Sequence, residues 1–412
     1  MQPVRTALVG ISGIGGYHLS LLHEAPDMEL VAVADKWLDR ERVQAAAKNV
    51  EEWGVPIYGD IWEMLDAVDV EAVAIATPHP YHAPYTLGAL DRGLHVMVEK
   101  PLTILASDGV KVVKTAAEKD LFVSVDFQYA GFPHSLALKD LICNGDLGEL
   151  VEIVGVMEWK RTEDYYKRSD WAGKRYYDGL ACFDGTLMNQ AVHLLNSALH
   201  MGTTAPERAV PQRLQAEMYR VHNIECEDVA CIRADLGEAT LHFYATTCAE
   251  ADLRTTLDII GTKGRASWDS DKAVVKIDGK DEIVFDMPSD RNAMHHNLVN
   301  CIRGVDKTLF APASESVKPT LTVNGAYYST QMIPKVTWDE LGDIRSLMDQ
   351  AADEKKLLSE MGVSWGRQTE VVELEDFTKF AGLADDEEVK AESAARGEEE
   401  ASGNFEWSHL PK

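Results

Sequence analysis

Surplus positive charge, long apolar runs and closely spaced cysteine pairs are all missing from this chain, and each absence closes off a class of function. Lysine and arginine number 40 against 68 aspartates and glutamates, a formal net charge of −28. That balance argues against nucleic acid or a membrane surface as partner, because both are bound through excess cations. Much of the acidity is local: Asp385, Asp386, Glu387, Glu388, Glu392, Glu398, Glu399 and Glu400 face only Lys390 and Arg396. Such a stretch predicts a solvated tail with too little apolar surface to fold. The first apolar run, Thr6 to Val9, has the length of a strand and is far too short for an export or membrane-spanning segment. Cys143, Cys182, Cys226, Cys231, Cys248 and Cys301 show no CxxC spacing, so no metal knuckle is expected. Scattered thiols in a chain of 412 residues fit a reducing, cytoplasmic setting.

What is present is ordinary globular protein, 45% hydrophobic and 26% charged, long enough for two or three domains. From the start to about residue 125, strand-like runs alternate with helix-like ones. Thr6–Val9, Leu30–Ala34, Ala72–Ala76, His95–Val98 and Leu121–Val125 read as buried strands; the stretches from Ile14, Asp39–Asn49, Tyr81–Arg92 and Ser107–Lys119 read as helices. This alternation predicts an α/β unit with a parallel, doubly wound sheet. Beyond about residue 150 the texture changes. Val151–Met157, Val229–Asp235, Ala239–Ala245, Arg254–Ile260 and Ala273–Ile277 read as strands joined by turns such as Leu236-Gly237-Glu238, which predicts an open, mostly antiparallel sheet. Helices are expected near Leu187–Met201, Met294–Arg303 and Pro319–Met332, with mixed helical segments after Trp338.

The first turn reads Gly10-Ile11-Ser12-Gly13-Ile14-Gly15. Set against G-x-G-x-x-G, it keeps Gly10 for the tight turn and Gly15 for close helix–strand packing, and it places Ser12 at the second glycine. The turn follows a strand and opens a helix, the context in which backbone amides receive a pyrophosphate. Asp35 ends the second strand where a carboxylate binds the ribose 2′-hydroxyl. A carboxylate there repels a 2′-phosphate and favours NAD; the neighbouring Lys36 keeps NADP open. The third strand ends in Thr77-Pro78-His79-Pro80-Tyr81-His82, a turn that can present backbone to the nicotinamide side, with His79 and His82 open to roles as loop or cap residues.

Glu99-Lys100-Pro101 closes the run His95–Val98. An ammonium at the end of a buried strand is costly without a use, and strand ends are where open α/β sheets bind ligands. Lys100 is therefore aimed at the ligand edge.

Together these pieces resemble the Gfo/Idh/MocA family of nicotinamide-dependent oxidoreductases. The matching residues are Gly10 to His18, Asp35, Thr77-Pro78 with His82, Ala89-Leu90 with Gly93, and His95-Val96 leading to Glu99-Lys100-Pro101. A later match is Gly185-Thr186-Leu187-Met188-Asn189-Gln190-Ala191-Val192-His193. The resemblance reaches to about residue 332. It implies a Rossmann domain at 1–127, a substrate and oligomerisation domain with a large open sheet at 128–337, an extension at 338–384 and the acidic tail at 385–412. It also implies pairing into homodimers or homotetramers through that sheet.

By the resemblance, Lys100 and His193 meet at the nicotinamide. His193 then acts as general base on the reacting hydroxyl, and Lys100 stabilises the alkoxide. Glu99 and Gln128 are further cofactor residues. Asn189 stands where many members carry aspartate four residues before the histidine; asparagine can orient an imidazole but adds no charge. Asn196 likewise replaces an aspartate three residues after it. Arg161, Tyr165, Tyr166 and Trp171 resemble a segment lining the substrate site of sugar-acting members, and an exposed loop with buried aromatics is the plainer reading of the same residues. His295-His296-Asn297 reads as helix surface. The expectation is an NAD-dependent dehydrogenase of a sugar, cyclitol or related polyol. A redox-neutral glycosidase holding NAD and a regulator without turnover stand beside it.

Overall fold

The computed structural model describes residues 2–374, so the predicted tail at 385–412 and the end of the predicted extension lie outside the described residues. In the first half the apolar runs form β1 (Val4–Val9), β2 (Met28–Ala34), β3 (Ile57–Tyr58), β4 (Ala72–Ile75), β5 (His95–Val98) and β6 (Val123–Val125). They pair in parallel in the order β3-β2-β1-β4-β5-β6. Strand β4 is buried along its whole length, as a parallel strand covered on both faces must be. The chain reverses direction across the sheet between β1 and β4, which opens a crevice at their carboxyl ends. Two glycines make this geometry possible. A Cβ on Gly10, at φ 85°, would lie 2.5 Å from the Ala76 carbonyl oxygen, and one on Gly15 would lie 2.1 Å from that of Gly10.

The second half adds β7 (Leu150–Glu158), a short hairpin β8 (Tyr176–Tyr177) and β9 (Leu180–Ala181), then β10 (Arg213–Tyr219), β11 (Val229–Asp235), β12 (Thr240–Thr246), β13 (Arg254–Gly261), β14 (Gly264–Trp268), β15 (Ala273–Ile277), β16 (Ile283–Phe285) and β17 (Val372–Glu373). The large sheet runs β16-β15-β14-β13-β7-β12-β11-β10-β17 and is antiparallel except for the β7–β12 pair. Its inner face carries Ile153, Ala216, Met218, Ile232, Phe243 and Leu257 into one core with the helix Val192–Met201.

Two expected helices begin elsewhere. The helix predicted from Leu187 starts at Val192, because Glu227 captures the preceding turn: its backbone oxygen accepts from Thr186 N at 2.9 Å and its Oε1 from Leu187 N at 2.8 Å. The helix predicted from Pro319 runs Ala313–Thr330 with Pro319 inside it. Packing against β10 and the helix Ala106–Lys119 outweighs the missing N–H.

The outer face of the central strands is covered by the chain itself. Leu341, Ile344, Met348, Ala351, Leu357 and Leu358 form a core with Val154, Val156, Tyr219, Val229, Cys231 and Tyr244. This cover explains why β10 was missed in the sequence. Its Glu217 is fully buried, accepting from Tyr219 Oη and Ser359 N at 2.9 Å each.

The chain also returns to the first domain. Met294, Leu298 and Val299 of the helix Ala293–Ile302 enter the core of the parallel sheet, and Val125 N donates to Ala311 O at 2.9 Å along the outer edge of β6. Met348→Ala should lower unfolding free energy by about 2–5 kcal/mol, the usual cost of emptying a buried aliphatic site, and chemical denaturation of the variant measures it.

Candidate active site

A cavity of about 500 Å³ opens at the carboxyl ends of β1 and β4, where the two domains meet. Gly10, Ser12, Gly13 and Ile14 line it beside the start of the helix Ile14–Glu24. That helix has no acidic residue in its first turn, so its positive end is uncompensated there. A Cβ on Gly13 would meet nothing within 4 Å, so this part of the loop presents open backbone. Gly15 does not line the cavity; its role is the close packing against Gly10. Asp35 is only 4% exposed; its Oδ2 accepts from Ile11 N at 3.0 Å and its Oδ1 from Trp37 N at 2.9 Å. Each oxygen keeps capacity for a ribose hydroxyl. An open anion cradle next to a fixed carboxylate fits a dinucleotide with a free 2′-hydroxyl.

Thr77, Pro78, Glu99 and Gln128 line the cavity further along, where the reacting end of the ligand would lie. Lys100 is held by two acceptors from one residue of the second domain, Asn189 O at 2.8 Å and Asn189 Oδ1 at 2.9 Å. Burial pushes the lysine below its ordinary pKa, partly offset by Glu99 and Asp184. His193 faces the same cavity, packed near Tyr129 and Phe127. Burial and then the Lys100 charge push it down to about 3. Behind Lys100, His18 Nε2 lies 2.9 Å from Glu99 Oε1, and its Nδ1 lies 3.0 Å from His295 Nε2. Burial opposes ionisation of Glu99, but the His18 hydrogen bond and charge win and hold its carboxyl low. Burial and the Glu99 charge drive the neighbouring Asp126 up.

Several expectations change. Asn189 precedes the helix instead of sharing a helix face with His193. It does not orient the imidazole; it holds Lys100 and donates from Nδ2 to Asp184 Oδ1 at 2.7 Å. Asn196 accepts from Arg208 Nε at 2.7 Å, away from the cavity. His82 sets its two ring nitrogens 2.7 Å from Pro101 O and 2.9 Å from Thr77 O, so it braces two loops of the cavity wall. Lys36 Nζ is 2.8 Å from Asp178 Oδ2. His295 is buried beside His18 and not on the helix surface. Of the aromatic segment, Tyr165 and Trp171 line the cavity. Tyr166 is buried with its hydroxyl 2.9 Å from Thr247 Oγ1, and Arg161 faces a separate cleft where it bonds Asp252 at 3.2 Å.

Arg168 was not anticipated. Its guanidinium sits 3.8 Å from the Tyr165 ring centre and 3.5 Å from Asp184 Oδ2, and it lines the cavity. His79, its ring centre 4.9 Å from that of Trp171 at a tilt of 55° and pushed well below its usual pKa by burial and then by Lys100, lines it too. No spacing rule flags Arg168 or Asp184, because both are placed by an irregular loop.

Comparison with known proteins agrees with this geometry. Residues 4–127 match the oxidoreductase family with an NAD-binding Rossmann fold, and residues 135–267 match the GFO/IDH/MocA C-terminal domain. An inositol 2-dehydrogenase of Rubrobacter xylanophilus is 36% identical over 165 residues, 40% of this chain and 45% of that protein. The D-glucoside 3-dehydrogenase of Escherichia coli is 27% identical over 209 residues, 48% of this chain and 54% of that protein. The chain thus spans about half the length of these two relatives. The WlbA dehydrogenase of Bordetella pertussis, solved with NADH and UDP-GlcNAcA, shares the fold with a TM-score of 0.67 at 22% identity, covering 80% of this chain and 97% of that one. The chain belongs to the Gfo/Idh/MocA oxidoreductase family, with the NAD-binding Rossmann domain first and the family's C-terminal domain after it.

Proposed function

We propose that this protein is an NAD-dependent dehydrogenase acting on a CH–OH group, in which hydride leaves a ring carbon of a sugar, cyclitol or related polyol. The observation that carries this reading is Lys100, held by Asn189 at the seam of the two domains in the cavity that His193 also lines. NAD, when bound, supplies the hydride acceptor; the chain must bind the hydroxyl and remove its proton. Two acceptors on Asn189 fix the Lys100 amine and leave its remaining valence for the substrate oxygen. With its pKa lowered by burial, Lys100 can give up its proton and take that of the hydroxyl. As an ammonium it then steadies the oxygen anion. His193 is neutral through the physiological range and serves as hydrogen-bond partner to the same oxygen. Tyr165, Trp171 and Arg168 offer aromatic faces and a cation, which suit a polyhydroxylated ring. The names and activities of the inositol and glucoside dehydrogenase relatives support this substrate class.

A second reading keeps the chemistry but returns the hydride to the same sugar, as a glycosidase with retained NAD would. The segment that crosses over the nucleotide end, with Arg40 bonded to Asp170 at 2.9 Å, favours retention. The presence of both Lys100 and His193 argues against a regulator without turnover. We further propose a cytoplasmic setting, supported by unpaired cysteines among the described residues, where no helix is long and apolar enough to cross a membrane. The homo-oligomer implied by the family resemblance would use the outer face of β13–β15, where Thr256, Asp258, Arg265, Ser267 and Lys276 line a groove, since the chain's own extension covers the central strands.

Purified protein given NAD and a panel of sugars and cyclitols should produce NADH with at least one of them. Cleavage of an aryl glycoside without NADH growth identifies the second reading instead. Lys100→Ala should lower kcat by about 10²–10⁴, the range for loss of a positioned acid–base group; full turnover in that variant would remove Lys100 from the chemistry. In a pH profile, kcat/KM should rise to a plateau as Lys100 deprotonates, with a midpoint below the ordinary lysine value. In Asn189→Asp, a carboxylate against the ammonium favours the charged form, so that midpoint should move to higher pH.

A further inference from the structure

Asp35 and Lys36 stand side by side at the end of β2, a repelling and an attracting group for a ribose 2′-phosphate. The attracting group is committed to another partner. Lys36 Nζ lies 2.8 Å from Asp178 Oδ2, the Tyr81 hydroxyl donates to the same oxygen at 2.5 Å, and Nζ is 3.3 Å from Tyr81 Oη. Asp178 belongs to the second domain. It forms the tip of the hairpin β8–β9 with Gly179, at φ 53° and 72°. Asp-Gly is the pair that a two-residue hairpin turn with positive φ selects, so the residue that suits the turn also brings the carboxylate.

The same segment engages the other cations lining that end of the cavity. Arg40 Nη2 bonds Asp170 at 2.9 Å, and Arg42 Nη1 reaches Arg168 O at 3.4 Å. The field of Asp178 also meets that of Asp35 at Tyr85, a cavity-lining phenol whose pKa rises through burial and then through Asp60, Asp178 and Asp35. At the nucleotide end Lys36 and Arg40 are therefore each paired with a carboxylate, Asp178 and Asp170, while Arg42 meets a backbone oxygen, and the buried Asp35 carboxylate lies beside them.

We propose that Asp178 is a cofactor-specificity residue: from the second domain it neutralises Lys36, and with Asp35 it makes this end of the cavity reject a ribose 2′-phosphate. Selection of NAD over NADP is then made by both domains together. This rests on the dinucleotide cavity and not on the dehydrogenase reading, so binding is the readout and failure of one does not imply failure of the other. The full chain is titrated with NAD and with NADP by calorimetry, as wild type, Asp178→Ala, the near-isosteric Asp178→Asn, and Asp178→Ala combined with Lys36→Ala.

Wild type should prefer NAD. Both single variants should shift the ratio of the two dissociation constants toward NADP by about tenfold, one charge-assisted contact, and the double variant should lose that gain. Equal weakening of both cofactors, the outcome of a purely structural latch, leaves the ratio unchanged and overturns the proposal. A shift of less than about threefold in both single variants, below 0.7 kcal/mol, likewise overturns it. Gain of NADP binding that persists in the double variant assigns the effect to a group other than Lys36 and overturns it too.

Discussion

The half-buried amine of Lys100 sets the terms for the site. An amine drawn partly out of water must find hydrogen-bond partners in the protein. The partners come from opposite directions. Glu99, adjacent in sequence, supplies negative potential from the first domain. Asn189 supplies two carbonyl oxygens from the second. The strand end that carries Lys100 is rigid because β5 is buried among β4 and β6. The turn that carries Asn189 is rigid because Glu227 binds its backbone and Asp184 binds its amide. The first domain's lysine is thus tied to the second domain through Asn189.

This arrangement also accounts for the asparagine where the family resemblance led one to expect aspartate. A carboxylate at position 189 would hold Lys100 charged. The amide holds it in place without fixing its protonation state, and its Nδ2 donates to Asp184. His193, pushed to about 3 by burial and by Lys100, gains nothing from a neighbouring carboxylate in such a layout, and its ring is placed by Tyr129 and Phe127 instead.

The parts legible in the sequence are those governed by local rules. The glycines of the first turn, Asp35 after β2 and Lys100 after β5 are fixed by strand–turn–helix grammar. The antiparallel sheet was readable from its turns. What escaped depends on tertiary placement. Strand β10 was not among the expected strands, and its Glu217 lies buried under the extension. Asn189 looked like a helix position and is a turn held by Glu227. Arg161 and Tyr166 neighbour Tyr165 in sequence, yet the chain sends their side chains to a second cleft and to the interior. Arg168 and Asp184 sit on irregular stretches where no periodicity speaks for any residue, and Asp178 sits at a hairpin tip whose partner in the other domain no local rule names. The acidic run at 385–412 lies outside the described residues.

The return of the helix Ala293–Ile302 to the first sheet has a consequence for how this fold can be divided. Met294, Leu298 and Val299 fill part of the core of the parallel sheet, and Ala311 and Pro312 bridge the outer edge of β6. A fragment ending at residue 127 would carry the whole phosphate loop and every strand of the first sheet, yet it would expose an apolar trough and an unprotected sheet edge. The nucleotide-binding half is therefore contiguous as a motif but not as a folding unit. Shuffling it onto another substrate domain would have to bring a segment translated some 170 residues later.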